Sequence, residues 1–175
     1  MDVLEHQPCP FCSAKTLTLT QDEQDIPYFG KVFLFSMACS SCKAHHADVE
    51  SAEYKEPCKI TFEMTSDKDL NVRVVKSSTA TLKIPQLRLS VTPGPGSEGY
   101  ISNIEGVLAR FEKVIEGQRD LAEEEDKTSA KNLLKKIRKV KFGDIPITII
   151  IEDPSGNSAI ISDKTVIEKL KGKKE

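Results

Sequence analysis

Two cysteine pairs restrict what this chain can fold into more than any other feature. "CPFC" places Cys9 and Cys12, "CSSC" places Cys39 and Cys42, and the full spacing is C-x2-C-x26-C-x2-C. One such pair fits either a thiol redox motif, whose first thiol has a lowered pKa, or half of a metal site. Two pairs favour the metal, because two tight turns can each deliver two thiolates to one tetrahedral Zn2+. A redox site needs only one pair and is normally set in a βαβ pattern. Here "KTLTLT" and "KVFLFSM" read as strands and no helical period lies between the pairs. Cys9, Cys12, Cys39 and Cys42 are therefore the candidate Zn2+ ligands. Ser13 and Lys43 stand where such knuckles often carry glycine. Cys58 lies outside the spacing and reads as a small buried residue in a strand.

Charge and hydropathy narrow the remaining classes. Lys and Arg number 25 against 27 Asp and Glu, a formal charge of −2, which argues against a protein driven onto phosphate backbones. No apolar run reaches the ~18 residues of a membrane span. The polar, acidic start ("MDVLEH") is no signal peptide, so the expectation is a cytoplasmic protein with reduced thiols. "HHAD", from His45 to Asp48, opens like a 2-His-1-carboxylate iron site. Only His6 could complete it, so both histidines read as residues on the edge of the cysteine module.

Beyond that module the period is that of β structure. "KITFEM" alternates Ile60, Phe62 and Met64, and after a turn at "SDKD", "LNVRVV" alternates Leu70, Val72 and Val74. "TATLKI" and "QLRLSV" continue the strands, with Pro85 marking an edge or bend. "TPGPGSEG", residues 92–99, must be a loop. The period then becomes helical: Ile104, Val107, Leu108, Phe111 and Ile115 share one face, and Ser102 with Glu105 reads as a capping box. A second amphipathic segment turns Ala130, Leu133, Leu134, Ile137 and Val140 inward and shows a basic outer face from Lys127 to Lys139. "IPITIII" is the most hydrophobic strand and is expected to be central. "EDPSGNSAII" gives a turn and a returning strand, and "DKTVIEKLKGKKE" a short helix with a basic tail. The clustered Asp153, Ser155, Asn157 and Ser158 resemble a catalytic loop, but Pro154 and Gly156 among them also make an ordinary tight turn.

Three separated motifs in order carry a family resemblance: the cysteine pairs with "DIPYFGKVFLFSMACSSC", then "VTPGPGSEGYISNIEGVL", then "IEDPSGNSAI". Together they resemble the ZPR zinc-finger proteins, over nearly the whole chain. Eukaryotic members resemble two tandem copies of this module; this chain has one, as archaeal members do. The resemblance implies a mainly β (α+β) fold: a zinc ribbon at 1–50, then a double-stranded β-helix-like domain at 51–175 with a helical hairpin inserted at about 102–141. It also implies a non-enzymatic protein that binds translation elongation factor 1-alpha, a GTPase, and assists its folding or maturation. The residues agree: there is no G-K-[S/T] phosphate loop, no nucleophile elbow, and no histidine after residue 46.

The candidate partner surface is Ile26, Tyr28 and Phe29 in "DIPYFG", since aromatics are preferred interface anchors. These residues could equally serve only to shield the metal. Pro93, Gly94 and Tyr100 form a second candidate surface. The alternative function is a nucleic-acid-binding zinc ribbon using the basic helix. A thiol oxidoreductase on Cys9 and Cys12 is the third reading.

Overall fold

In the computed structural model, residues 1–26, 30–52 and 55–170 are described, with the side chain of Ile26 excepted. Tyr28 and Phe29 therefore lie outside the described residues. The N-terminal module is one antiparallel sheet of β1 (Asp2–Gln7), β2 (Leu17–Ile26), β3 (Gly30–Cys39) and β4 (His45–Ser51), in that spatial order. The β2–β3 hairpin runs in unbroken register from Leu17 opposite Cys39 to Ile26 opposite Gly30. It buries little of its own: Cys9, Leu17 and Cys39 make one small cluster, and Val32 belongs to another.

The second module has two facing sheets. Their strands are β5 (Cys58–Met64), β6 (Arg73–Lys76), β7 (Thr81–Ile84), β8 (Leu89–Val91), β9 (Tyr100–Asn103), β10 (Ile147–Asp153), β11 (Ala159–Ile161) and β12 (Val166–Lys169). Five strands lie in the order β12-β5-β10-β7-β8 and three in the order β11-β6-β9. As its hydrophobicity predicts, β10 is central. Ile147, Ile149, Ile151 and Asp153 point into the core while the residues between them stay half-buried. Helices α1 (Ile104–Leu121) and α2 (Glu124–Lys141) form the hairpin. The five expected residues of α1 are buried; on α2, Leu134, Ile137 and Val140 are buried and Ala130 and Leu133 pack partly. Acidic residues open α2 and basic ones close it, matching the helix dipole.

Several local expectations change. "SDKD" is part of a short 3-10 helix, Asp67–Asn71, and the following strand starts only at Arg73. Pro85–Leu87 also forms a 3-10 turn, leaving β8 three residues long. The cap of α1 is Asn103, whose side chain accepts from the Gly106 amide at 2.8 Å; Ser102 is held in the β9 ladder opposite Val74. A Cβ at Gly106 would collide with the Ser102 hydroxyl. The strand after the 153–157 turn does not return along β10. It crosses to the other sheet and pairs with β6. The expected C-terminal helix is β12, because the outer edge of β5 stands open to the β-branched pair Val166 and Ile167.

Both faces of β6 are covered. Val74 belongs to the core between the sheets, while Val75 packs with Val32, Leu34 and Val49 of the ribbon and with Ala159 and Ile161 of β11. Polar contacts reinforce this apolar seam. The Asp48 carboxylate accepts from the Gly99 amide at 2.7 Å, and His46 Nδ1 lies 2.8 Å from a Glu98 oxygen. A Cβ on Gly99 would strike the Val49 carbonyl, so the loop approaches β4 at backbone distance.

Asp153, fully buried at the end of β10, fastens this end of the sandwich. Its carboxylate accepts from the hydroxyls of Ser77 (2.8 Å), Thr79 (3.0 Å), Ser155 (2.7 Å) and Ser158 (2.6 Å), and from the amides of Ser155 (2.8 Å) and Asn157 (3.0 Å). Burial pushes its pKa up, but the donors from Ser158, Ser155 and Ser77 outweigh that and hold it below the usual value. The cluster is thus a hub linking the turn to the β6–β7 connection. A carboxylate with a depressed folded pKa stabilises above the unfolded value, near pH ~4, and the contribution fades as pH falls through the folded value. Asp153→Asn is expected to cost roughly 3 kcal/mol at neutral pH, with the deficit shrinking in acid. Denaturant titrations at both pH values check this; matching wild-type and variant midpoints at neutral pH would refute it. A fragment of residues 51–175 should keep a cooperative melt, since the inter-sheet core is intact, but melt lower than the full chain with Val75 uncovered. Loss of any cooperative transition would show that the modules fold as one.

Candidate metal centre

The two cysteine turns have the same construction. The Cys9 amide donates to the Ala14 carbonyl at 2.9 Å and Ser13 N to the Cys9 carbonyl at 2.8 Å; Cys39–Ala44 and Lys43–Cys39 repeat the pattern at 2.9 and 3.0 Å. Ser13 and Lys43 take φ of 60° and 62°. These are the left-handed positions where glycine is free of strain, so each residue costs about 1 kcal/mol or more in local conformation. The ribbon hairpin then brings the turns face to face.

All four sulfur atoms lie within 4.8 Å of one another, with Cys9–Cys42 and Cys12–Cys39 separations of 3.7 Å. A tetrahedron with Zn–S bonds of roughly 2.3 Å has edges of about 3.8 Å, so the sulfurs already stand at the spacing zinc requires. Cys9 and Cys39 are buried, Cys12 and Cys42 exposed. Leu17, Leu19, Met37 and Ala44 cover the inner side. The Thr16 hydroxyl, 3.3 Å from Cys39 Sγ, lowers that thiol to about 6. The Ala44 amide favours the Cys42 thiolate, but burial and the sulfurs of Cys39, Cys12 and Cys9 push it to about 12. Four thiolates this close repel one another, and a dication among them removes that repulsion.

Cys58 stands apart at the start of β5, half-buried, its thiol pushed up first by burial and then by the Asp153 charge. His45 and His46 lie on the exposed edge strand β4. Among the described residues, the four cysteines are the only His, Cys, Asp or Glu group with metal-binding geometry, so no iron triad is assembled from "HHAD".

The family models match the chain in two consecutive segments: the ZPR1 zinc-finger domain over residues 2–57 and the ZPR1 jelly-roll domain over residues 68–174. The chain belongs to the ZPR1 family. It is 40% identical to a ZPR1-like protein of Methanocaldococcus jannaschii across 98% of this chain and 91% of that one. Identity to a ZPR1-like protein of Pyrococcus horikoshii is 41%, across 93% of this chain and 75% of that one. The zinc finger chaperone zpr1 of Schizosaccharomyces pombe is 37% identical over 77% of this chain, which spans only 30% of that longer protein. The ZPR1 zinc-finger match and the sulfur geometry agree on Zn2+ as the cofactor. The jelly roll is the double-stranded β-helix architecture the sequence resemblance implies, with the helical hairpin in place.

Of the expected partner residues, Pro93 and Gly94 lie in an exposed loop, and Tyr100 is half-buried at the start of β9 beneath the Arg110 guanidinium, 4.1 Å from its ring centroid. Ile26 ends β2. Sequence reasoning missed Arg110, Lys76 and the His46–Glu98 contact. The signal for Lys76 was a lysine directly after two valines in a strand buried on both faces. Metal analysis of protein purified without chelator should find about one zinc per chain. Cys42→Ser should lower that content and Cys58→Ala should leave it unchanged; zinc loss in the Cys58 variant would overturn the ligand set.

Proposed function

We propose that this protein is a zinc-braced, non-enzymatic binding module that engages translation elongation factor 1-alpha in the cytoplasm and assists its folding or maturation. Cys9, Cys12, Cys39 and Cys42 hold the metal. The observation that carries the reading is the kinship over most of the chain with a relative named a zinc finger chaperone. The structure gives it physical content. A ribbon with so small a core needs the metal to stay ordered, and it is seated on the jelly roll through Val32 and Val75, so zinc acts on the binding protein as a whole. The Asp153 hub fits the same reading, since its hydroxyls are engaged with the carboxylate. No helix among the described residues is long and apolar enough to cross a membrane.

Ile26, Tyr28 and Phe29, with Pro93, Gly94 and Tyr100, are the proposed contact residues. The direct test is capture of purified elongation factor 1-alpha by the immobilised zinc-loaded chain, before and after chelation. Capture should fall on chelation. The Tyr28→Ala, Phe29→Ala double variant should weaken binding by ~2 kcal/mol, the loss typical of hot-spot aromatics, with zinc content at the wild-type level. Unchanged affinity in that variant would remove the two aromatics from the interface, and no capture by the wild type would sink the function itself.

A further inference from the structure

The open side of the jelly roll, between the edge strands β8 and β9, carries two confluent hollows. One, about 400 Å3, runs between β8 and α1 and is walled by Leu89, Val91, Phe111 and Val114. The other, about 600 Å3, opens between β9, the 96–99 loop and the ribbon strand β4. They meet at Val91, Tyr100 and Arg110, which line both. The first hollow is mainly apolar and incompletely covered: Val91 is 43% and Val114 58% exposed. A rim of this kind is where a folded domain meets apolar side chains of another molecule.

The charge of the second hollow is one-sided. The Arg110 guanidinium sits over the Tyr100 ring, 4.1 Å from its centroid, and among the described residues no carboxylate pairs with it. Lys76 sits in the wall with its amino group donating to the Ser77 carbonyl at 3.0 Å. Burial disfavours the charge on Lys76 and holds its pKa below the usual value, with the Asp153 charge a smaller opposing influence. The one carboxylate lining this hollow, Glu98, is engaged by His46. An arginine stacked on an aromatic ring is pre-organised and keeps its N–H edge free for a bidentate carboxylate. Among the described residues, the neighbouring strand β8 pairs only with β7 and its other edge carries no strand, so extended chain can run alongside it.

We propose that this continuous cleft is a docking site for an extended peptide segment of a partner protein, aliphatic at one end and acidic at the other. The aliphatic side chains sit against Val91 and Val114, and a carboxylate pairs with Arg110. The occupant's sign follows from the unpaired guanidinium and its polarity from the order of the two hollows. The proposal deepens the binding function above by giving the chemistry of the recognised segment, and it rests on that reading only for the partner's identity.

The probe is a fluorescein-labelled hexapeptide of three valines followed by three glutamates, titrated by anisotropy against the full zinc-loaded chain. The comparison peptide has lysines in place of the glutamates. The glutamate peptide should bind at least ~10-fold tighter than the lysine peptide. Arg110→Gln should weaken it by about 10-fold and flatten its salt dependence, while Lys15→Gln, removing the same charge from the ribbon surface, should change little. Val114→Glu, at an exposed site that does not threaten the core, should also weaken binding and keeps the test decisive should the Arg110 variant fold poorly. Failure of the glutamate peptide to bind, equal binding of both peptides, or indifference to both cleft variants overturns the proposal. So does displacement by single-stranded RNA that depends on Arg110, which would make the cleft a phosphate site. Capture of elongation factor 1-alpha is read in parallel: wild-type capture that survives Arg110→Gln leaves the binding function standing and removes this cleft from it.

Discussion

Mutual repulsion among four sulfur atoms held within 4.8 Å sets the terms for the N-terminal ribbon of this protein. The chain accepts two left-handed residues, Ser13 and Lys43, to make the turns that hold those sulfurs. A divalent cation turns the repulsion into attraction. The metal then supplements a small core, because among the described residues the ribbon buries only two small apolar clusters, one of them shared with the jelly roll. Order in β3 and β4 thus depends on the metal at one end and on Val75 of the other module at the opposite face.

The same seam shapes the functional surface. With the ribbon docked on β6, the 96–99 loop is drawn to β4 through Asp48 and Gly99, and the cleft beside it acquires a ribbon wall. Neither module would make that wall alone. Interfaces within a chain of this size commonly allow relative motion, and here the seam combines buried valines with one buried-edge hydrogen bond and one exposed ion pair. Seam packing and cleft shape therefore share the same ribbon contacts.

Asp153 shows how a buried charge can be tolerated with no cationic side chain among the described residues forming an ion pair with it. Six donors from two chain segments surround its two oxygens, and donors to a carboxylate are worth more than those to a neutral group. The motif "EDPSGNS" looks reactive because hydroxyls crowd a carboxylate. In the fold they donate to it, which holds the β10 end, the 153–157 turn and the β6–β7 connection together.

What the sequence determined by itself is whatever depends on spacing along the chain. The cysteine pairs, the inward stripes of α1 and α2, and the central place of β10 were legible because neighbours in sequence share a turn, a helix face or a pleat. Where two local signals competed, the sequence misled: Ser102 had the residue type of a cap, yet the β6 ladder claimed its backbone and Asn103 took the position. Only the tertiary structure decided which distant surface covers each face. Val166 and Ile167 became a strand because β5 had an open edge, Val75 became buried because the ribbon lies on it, and Arg110 became a binding candidate because no carboxylate among the described residues pairs with it. Periodicity reports that a face is apolar or a side chain charged. It carries no record of what will pack there, since the free energy of that contact arises only between segments far apart in sequence.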